Sequence, residues 1–337
     1  MIKEYTWLGV VVAIVLFSGC SGKKYFEPTQ TYKASGAISG HKGKSLYLTR
    51  DGVTFNNQTY ISKKGAGSLI LSKGDRYIGE NGSFVLVTNI EGKLSLISKK
   101  SKKISKTIEF NVPVVSASIK GNKIVYLLQD NTFGIYNTSS DEKIIESKSD
   151  DTFAVDARIA NPMFVDNLAV IPTLDGKILI VDINNPENAK VIYISSKANL
   201  NNVIYLSRMG NLLVAATPNR VMTIGSAEGE FDDGISEVAI SNGAIYVFTK
   251  AGEIVKFSKD LKALARAKFK FAHFSVATAF GGRVYAMDQQ GSLIVLSADL
   301  KKHRIYDVGE VKDFAFISGN KIYKDNKVIT LSKLSYE

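Results

Sequence analysis

Runs of about six residues rich in Val, Ile, Tyr and Phe alternate with Gly, Asn, Asp and Lys along most of the chain, the pattern of half-buried strands joined by tight turns. No stretch carries a clean helical apolar period, so few helices are expected. One unit recurs: a Gly or Asn-Gly turn, an apolar strand, a second polar turn and another apolar strand. Its copies open at Gly43, Gly82, Gly121, Asn167, Gly210, Gly243, Gly282 and Gly319, at spacings of 39, 39, 46, 43, 33, 39 and 37 residues. A period near 40 is that of a four-stranded propeller blade.

The flanks fit the same unit. Segments rich in small residues precede the hairpins, such as Val114–Ile119, Ser275–Ala279 and Phe314–Ile317, and suit crowded inner strands around an axis. More polar segments follow them, such as Lys106–Phe110 and His303–Tyr306, and suit outer strands. The expected fold is all-β: an eight-bladed β-propeller, with seven blades the alternative, and four antiparallel strands per blade. A β-sandwich needs no such repeat, and an open solenoid needs capping units that are not visible. The last copy ends at Glu337 without an outer strand, so Tyr32–Ser39 is expected to pair with it and close the ring.

The N-terminus reads differently. Lys3 precedes an apolar run, Trp7–Phe17, broken only by Gly9. As a helix it would rise about 16 Å, half a bilayer core, which suits a secretory signal rather than a membrane span. Phe17-Ser18-Gly19-Cys20 resembles the lipobox of bacterial lipoproteins, with Phe17 where Leu is commoner. Cys20 is the only cysteine in the chain. Acylation gives that lone thiol a role, and a disulfide or a Cys-based metal site within the chain is excluded. The expected organisation is a lipoprotein signal peptide at 1–19, a lipid-anchor tether at 20–32 and the propeller at 33–337. By resemblance to the lipoprotein sorting rule, Ser21 after the cysteine favours the periplasmic face of the outer membrane.

Composition adds a net charge of +11. The charges are scattered among turns, with one dense run at Lys99-Lys100-Ser101-Lys102-Lys103 that falls at a hairpin turn. An envelope protein meets no nucleic acid, so a phospholipid or lipopolysaccharide surface is the sharper reading of the excess.

Residues for catalysis are sparse. His41, His273 and His303 share no motif and offer no metal-ligand spacing. Asp51, Asp130, Asp175, Asp260 and Asp299 fall in turns, where Asp side chains cap the backbone. Asp232-Asp233-Gly234 reads as a loop, because Glu237 is too close to complete a Ca²⁺ site. Gly65-Ala66-Gly67-Ser68 reads as a turn and not a phosphate cradle. No enzyme activity, cofactor or metal is therefore expected.

Asp175-Gly176-Lys177-Ile178-Leu179-Ile180-Val181-Asp182 and Gly291–Lys301 look like the repeat of quinoprotein-type (PQQ-like) propellers. With the lipobox and eight blades, the chain resembles the propeller lipoprotein of the outer-membrane β-barrel assembly (Bam) machine. It departs from that family in lacking the Trp that ends each repeat, since Trp7 is the only one. The resemblance implies a scaffold, a monomer within a larger complex. It would dock on the periplasmic domains of the barrel-forming subunit and help insert outer-membrane proteins. Nascent outer-membrane proteins become possible further partners, through strand addition at exposed rim edges. By the same resemblance, one docking loop matches Val155-Asp156-Ala157-Arg158, with Val155, Ala157 and Arg158 the contacts. The other matches Asn201 and Asn202, where the family carries acids. Apart from resemblance, the planar guanidinium of Arg158 suits bidentate recognition; bracing of neighbouring blades is the plainer role. The competing function is a periplasmic ligand-binding or quinoprotein-like enzymatic propeller, which would need a polar channel pocket with converging carboxylates.

Overall fold

Strands here are short because turn residues interrupt the β-rich runs every few positions, and most runs pair with their neighbours in sequence. In the computed structural model this produces eight antiparallel sheets in chain order around one axis. Residues 24–152, 155–197 and 199–337 are described; the expected signal peptide and Cys20 lie outside them. Blade 3 is representative, with Val114–Lys120 innermost, then Lys123–Leu128, Thr132–Asn137 and Glu142–Lys148 at the rim. Among the described residues the only helical element is a single turn at Leu331–Lys333.

The buried side chains fall into eight apolar clusters, one in each seam between adjacent blades. Ile78, Leu94 and Tyr126 join blades 2 and 3; Phe248, Phe274 and Leu296 join blades 6 and 7; Val53, Phe314 and Val328 join blades 1 and 8. Middle strands are buried on both faces, which explains their continuous apolar runs, and outer strands keep one face in water.

The ring closes through the N-terminal segment. Ile38–Gly40 pairs antiparallel with Lys327–Thr330 and supplies the missing outer strand of blade 8. Tyr32–Lys33 instead lies parallel to the outer strand of blade 7, Tyr32 opposite Tyr306. Part of the segment read as a tether is therefore already on the propeller: Phe26 packs edge-on against Phe269 at 5.9 Å.

Two local readings are corrected. In the first repeat the expected hairpin is one strand out of step. Ser45–Leu48 is the inner strand of blade 1, followed by Gly52–Phe55, Tyr60–Ser62 and a two-residue rim strand, Gly65–Ala66. An inner pair and a middle pair are both antiparallel hairpins with one alternation, so pattern alone does not separate them. Gly65–Ala66 thus pairs with Ile61–Ser62 where a turn was expected. The Lys99–Lys103 run does form the turn between the third and fourth strands of blade 2.

Candidate functional site

Two connections between blades are long: residues 149–162, from blade 3 to blade 4, and 194–204, from blade 4 to blade 5. They account for the two longest repeat spacings. The first does not stay on the surface. From Asp156 to Pro162 it turns into the central channel, and the inner strand of blade 4 shrinks to Met163–Val165.

Inside the channel this segment is tied to five other parts of the ring. Arg158 donates to Asp156 at 2.8 Å through Nε and 2.5 Å through Nη2, and to the carbonyl of Ser236 in blade 6. Asn161 Nδ2 donates to the carbonyl of Ile78 in blade 2, at 2.7 Å, and to Asp51 beside blade 1. Ser118 Oγ of blade 3 donates to the Pro162 carbonyl at 2.6 Å. Ala160 N donates to Val203 O, before blade 5, at 2.9 Å.

The receiving carbonyls have a common origin. The inner strands of blades 2 and 6 each carry a β-bulge, between Tyr77 and Gly79 and between Ile235 and Glu237. A bulge leaves one residue out of the ladder. Those residues are Ile78 and Ser236, and the inserted segment satisfies the carbonyls they free.

Beside the segment lies a charged cluster. Arg50, in the first turn of blade 1, reaches across the channel to Glu237 of blade 6, with one contact of 2.7 Å and a second, shorter one. Both side chains are largely buried, 16% and 10% exposed. Burial alone would lower the Arg50 guanidinium; the charge and hydrogen bonds of Glu237 outweigh it and the net shift is upward. Tyr205 of blade 5 lies 5.6 Å from this guanidinium, and burial pushes its phenol up to about 12. Asp51 is paired with Lys63. For Asp156, burial pushes upward, but the hydrogen bonds and charge of Arg158 hold the carboxyl below its ordinary value.

The cavity left among these groups measures about 610 Å³, and its wall is small and apolar at Ala157, Val238, Ala277 and Ala315. That is ligand-sized. Its carboxylates, Asp51 and Glu237, do converge on the channel, but each is matched by a cation of the same chain.

The second connection backs the first. Asn202 is fully buried and donates to the carbonyls of Asp156 and Arg158, at 3.1 and 2.9 Å, while its Oδ1 accepts from Asp156 N at 2.6 Å. Asn201, also buried, donates to Asp175 O and Ser195 O at 3.0 and 2.8 Å. The expectation that Asn201 and Asn202 are contact residues is corrected: both are buried and their amide N–H donors are consumed within the chain, because buried backbone carbonyls need donors. Asp175 sits in the turn read for it, is half-buried and is ion-paired with Lys177 at 2.6 Å. Asp232, read as loop, ends a strand and pairs with Arg220 at 2.5 Å.

The two connections present apolar side chains among polar ones, since Asp150, Asp151, Ser196, Lys197 and Asn199 are exposed beside them. Val155 is 39% exposed and Leu200 45%, and Ala157 is exposed as well. In an up-and-down blade, connections between blades open on the same face as turns between the second and third strands. Ile70, before blade 2, and Ile90, in that turn of blade 2, therefore share the face and are 68% and 66% exposed. Leu200 and Ile70 were missed in the sequence; the lengthened spacings near 155 and 200 were the available signal.

No family model matches the chain. Two plasminogen-binding proteins PgbB, from two strains of Helicobacter pylori, are 27% and 26% identical to it. The alignments cover 94% of this chain and 68% and 67% of theirs. Among solved structures, BamB of Moraxella catarrhalis superposes with a TM-score of 0.67 at 14% identity, over 86% of this chain and 98% of that one. The C-terminal WD40 domain of Sif2 superposes with a TM-score of 0.62 at 13% identity, covering 87% and 98%. At these identities the likeness is one of fold: an eight-bladed propeller of BamB type.

Proposed function

We propose that the chain is a non-catalytic, lipid-anchored envelope scaffold. It helps assemble and insert outer-membrane β-barrel proteins by docking on the periplasmic domains of the barrel-forming subunit. One observation carries this reading: two adjacent connections are tied from behind by Asn202, Arg158 and Asn161, yet leave Val155 and Leu200 exposed. Affinity favours surfaces that need no ordering on binding. Apolar side chains on loops already held by internal hydrogen bonds meet that condition. Arg158 then acts by holding the loop, and the anchors are apolar. The channel supports the non-catalytic part, since its acids are neutralised by cations of this chain and none is left with surplus charge. Photocrosslinking from positions 155 and 200 in envelopes tests the reading. Recovery of the barrel-forming subunit supports it, and its repeated absence from both positions counts heavily against it.

A second reading comes from the relatives. Proteins named for plasminogen binding align with 94% of this chain, and the propeller exposes lysine-rich turns such as Lys100, Lys102 and Lys103. Binding of the purified chain to immobilised plasminogen, with and without those lysines, separates a host-protein receptor from an assembly scaffold.

A further inference from the structure

The seam of blades 6 and 7 carries a second surface feature, at the outer rim. Residues Lys24–Thr29 lie across it and form a groove of about 670 Å³ with Lys268–Phe271, His303 and Ile305. Its floor is aromatic: Phe26 packs on Phe269, which meets His303 edge-on at 5.3 Å. Phe271 holds a φ of 67°, a costly conformation for an aromatic residue. It is only half-buried, with Lys24 and Lys270 Nζ at 5.7 and 5.0 Å from its ring. Lys24, Tyr25, Lys268 and Lys270 are exposed. Glu27 is the one carboxylate lining the groove.

We infer that this rim is the bilayer-facing side of the molecule and that it binds the headgroups of anionic phospholipid. The inference rests on the lipid-anchor part of the proposed function. Cys20 precedes Lys24 by four residues, which span at most about 14 Å, so an acyl anchor brings this rim to the lipid surface. Lysines beside amphipathic aromatic rings suit that boundary: the ammonium groups meet phosphate while Tyr25 and Phe271 reach the acyl edge. Each lysine near an anionic surface is worth about fivefold in binding. In a ring of eight, blade 2 lies opposite blade 6. A bilayer against the rim of blades 6 and 7 therefore lies across the ring from blade 2 and Ile90.

Tryptophan fluorescence tests this, because Trp7 in the expected signal peptide is the only native tryptophan. The purified acylated chain carries Tyr25→Trp or, on the far side, Ile90→Trp, both at exposed positions. It is mixed with phosphatidylglycerol–phosphatidylcholine vesicles whose acyl chains are brominated. The expected result is strong quenching at position 25 and little at position 90. The signal at 25 falls several-fold with Lys268→Glu and Lys270→Glu together, more weakly with the Gln pair, and in vesicles of phosphatidylcholine alone. Equal quenching at both positions, or no response to charge reversal while the chain still floats with the vesicles, overturns the rim assignment and leaves the anchor standing. A chain that does not float overturns the anchor, and the rim with it. Crosslinking from position 155 reads the docking surface independently of either outcome.

Discussion

Asn202 donates a hydrogen bond of 2.9 Å to the carbonyl of Arg158, forty-four residues earlier, and so fixes the loop before blade 4 to the loop before blade 5. The same amide bonds both ways with Asp156. One buried side chain thus sets the geometry of both connections, and Arg158 carries that order across the channel to blade 6.

Replacing Asn202 with Ala removes three hydrogen bonds and strands buried backbone groups. Each stranded group costs about 1–3 kcal/mol, so a stability loss of about 3 kcal/mol in urea unfolding is expected. Asn202→Asp does no better, because it sets oxygen against the carbonyls of Asp156 and Arg158. Partner recovery falls in both.

Val155→Asp and Leu200→Asp alter exposed side chains. Stability should stay within about 0.5 kcal/mol of the parent, while capture of the barrel-forming subunit drops at least tenfold. Unchanged capture in both would remove these loops from the interface.

Arg50 and Glu237 form a pair whose members need each other. Glu237→Leu leaves a buried guanidinium unpaired, at a cost of about 3–5 kcal/mol. Arg50→Met combined with Glu237→Leu recovers most of that in the same unfolding assay. A double variant as unstable as the single would mean the pair contributes net stability beyond its own desolvation.

Gly176 and Gly252 hold positive φ, 88° and 76°, in equivalent turns of blades 4 and 6. A Cβ at Gly252 would lie 2.2 Å from the Phe269 carbonyl oxygen, and one at Gly176 would lie 2.3 Å from the buried Asn201 Nδ2 and 2.6 Å from the Ser195 carbonyl oxygen. Both meet backbone that cannot yield. Gly252→Ala and Gly176→Ala should therefore each cost more than about 2 kcal/mol, and Gly176→Ala should also disturb the 194–204 connection.

Acid should loosen the inserted segment. Asp156 is held below its ordinary value of 3.8, so the folded state binds its proton less tightly than the unfolded state does. Its contribution is complete above that value and drains away as the pH falls further below it. Amide protection at residues 156–162, corrected for the intrinsic pH dependence of exchange, should fall as the pH drops below about 3.8, and Asp156→Asn should abolish that loss.

The repeat was legible without coordinates: the inner strand at Val114 and the rim strand at His303 follow from alternation and turn residues, as does closure of the last blade from within Tyr32–Ser39, although only Ile38–Gly40 makes it and Tyr32–Lys33 pairs with blade 7 instead. The docking face was half legible. Arg158 was visible as an arginine in a long insertion, but its partner Ser236 was not, and Asn201 and Asn202 looked like surface residues because a polar loop carries no mark of its burial.

The sequence by itself determined most strands and turns, the period of the repeat and where two connections outgrow the rest, because pleat and turn conformation depend on neighbours a few residues apart; the choice of eight blades over seven came from the closed ring. Only the tertiary structure decided that Arg50 meets Glu237, that Asn161 meets Ile78, and that the insertion fills the channel. Ring closure sets those meetings by rotation about an axis, and no local pattern of polar and apolar residues encodes which blades face one another across it.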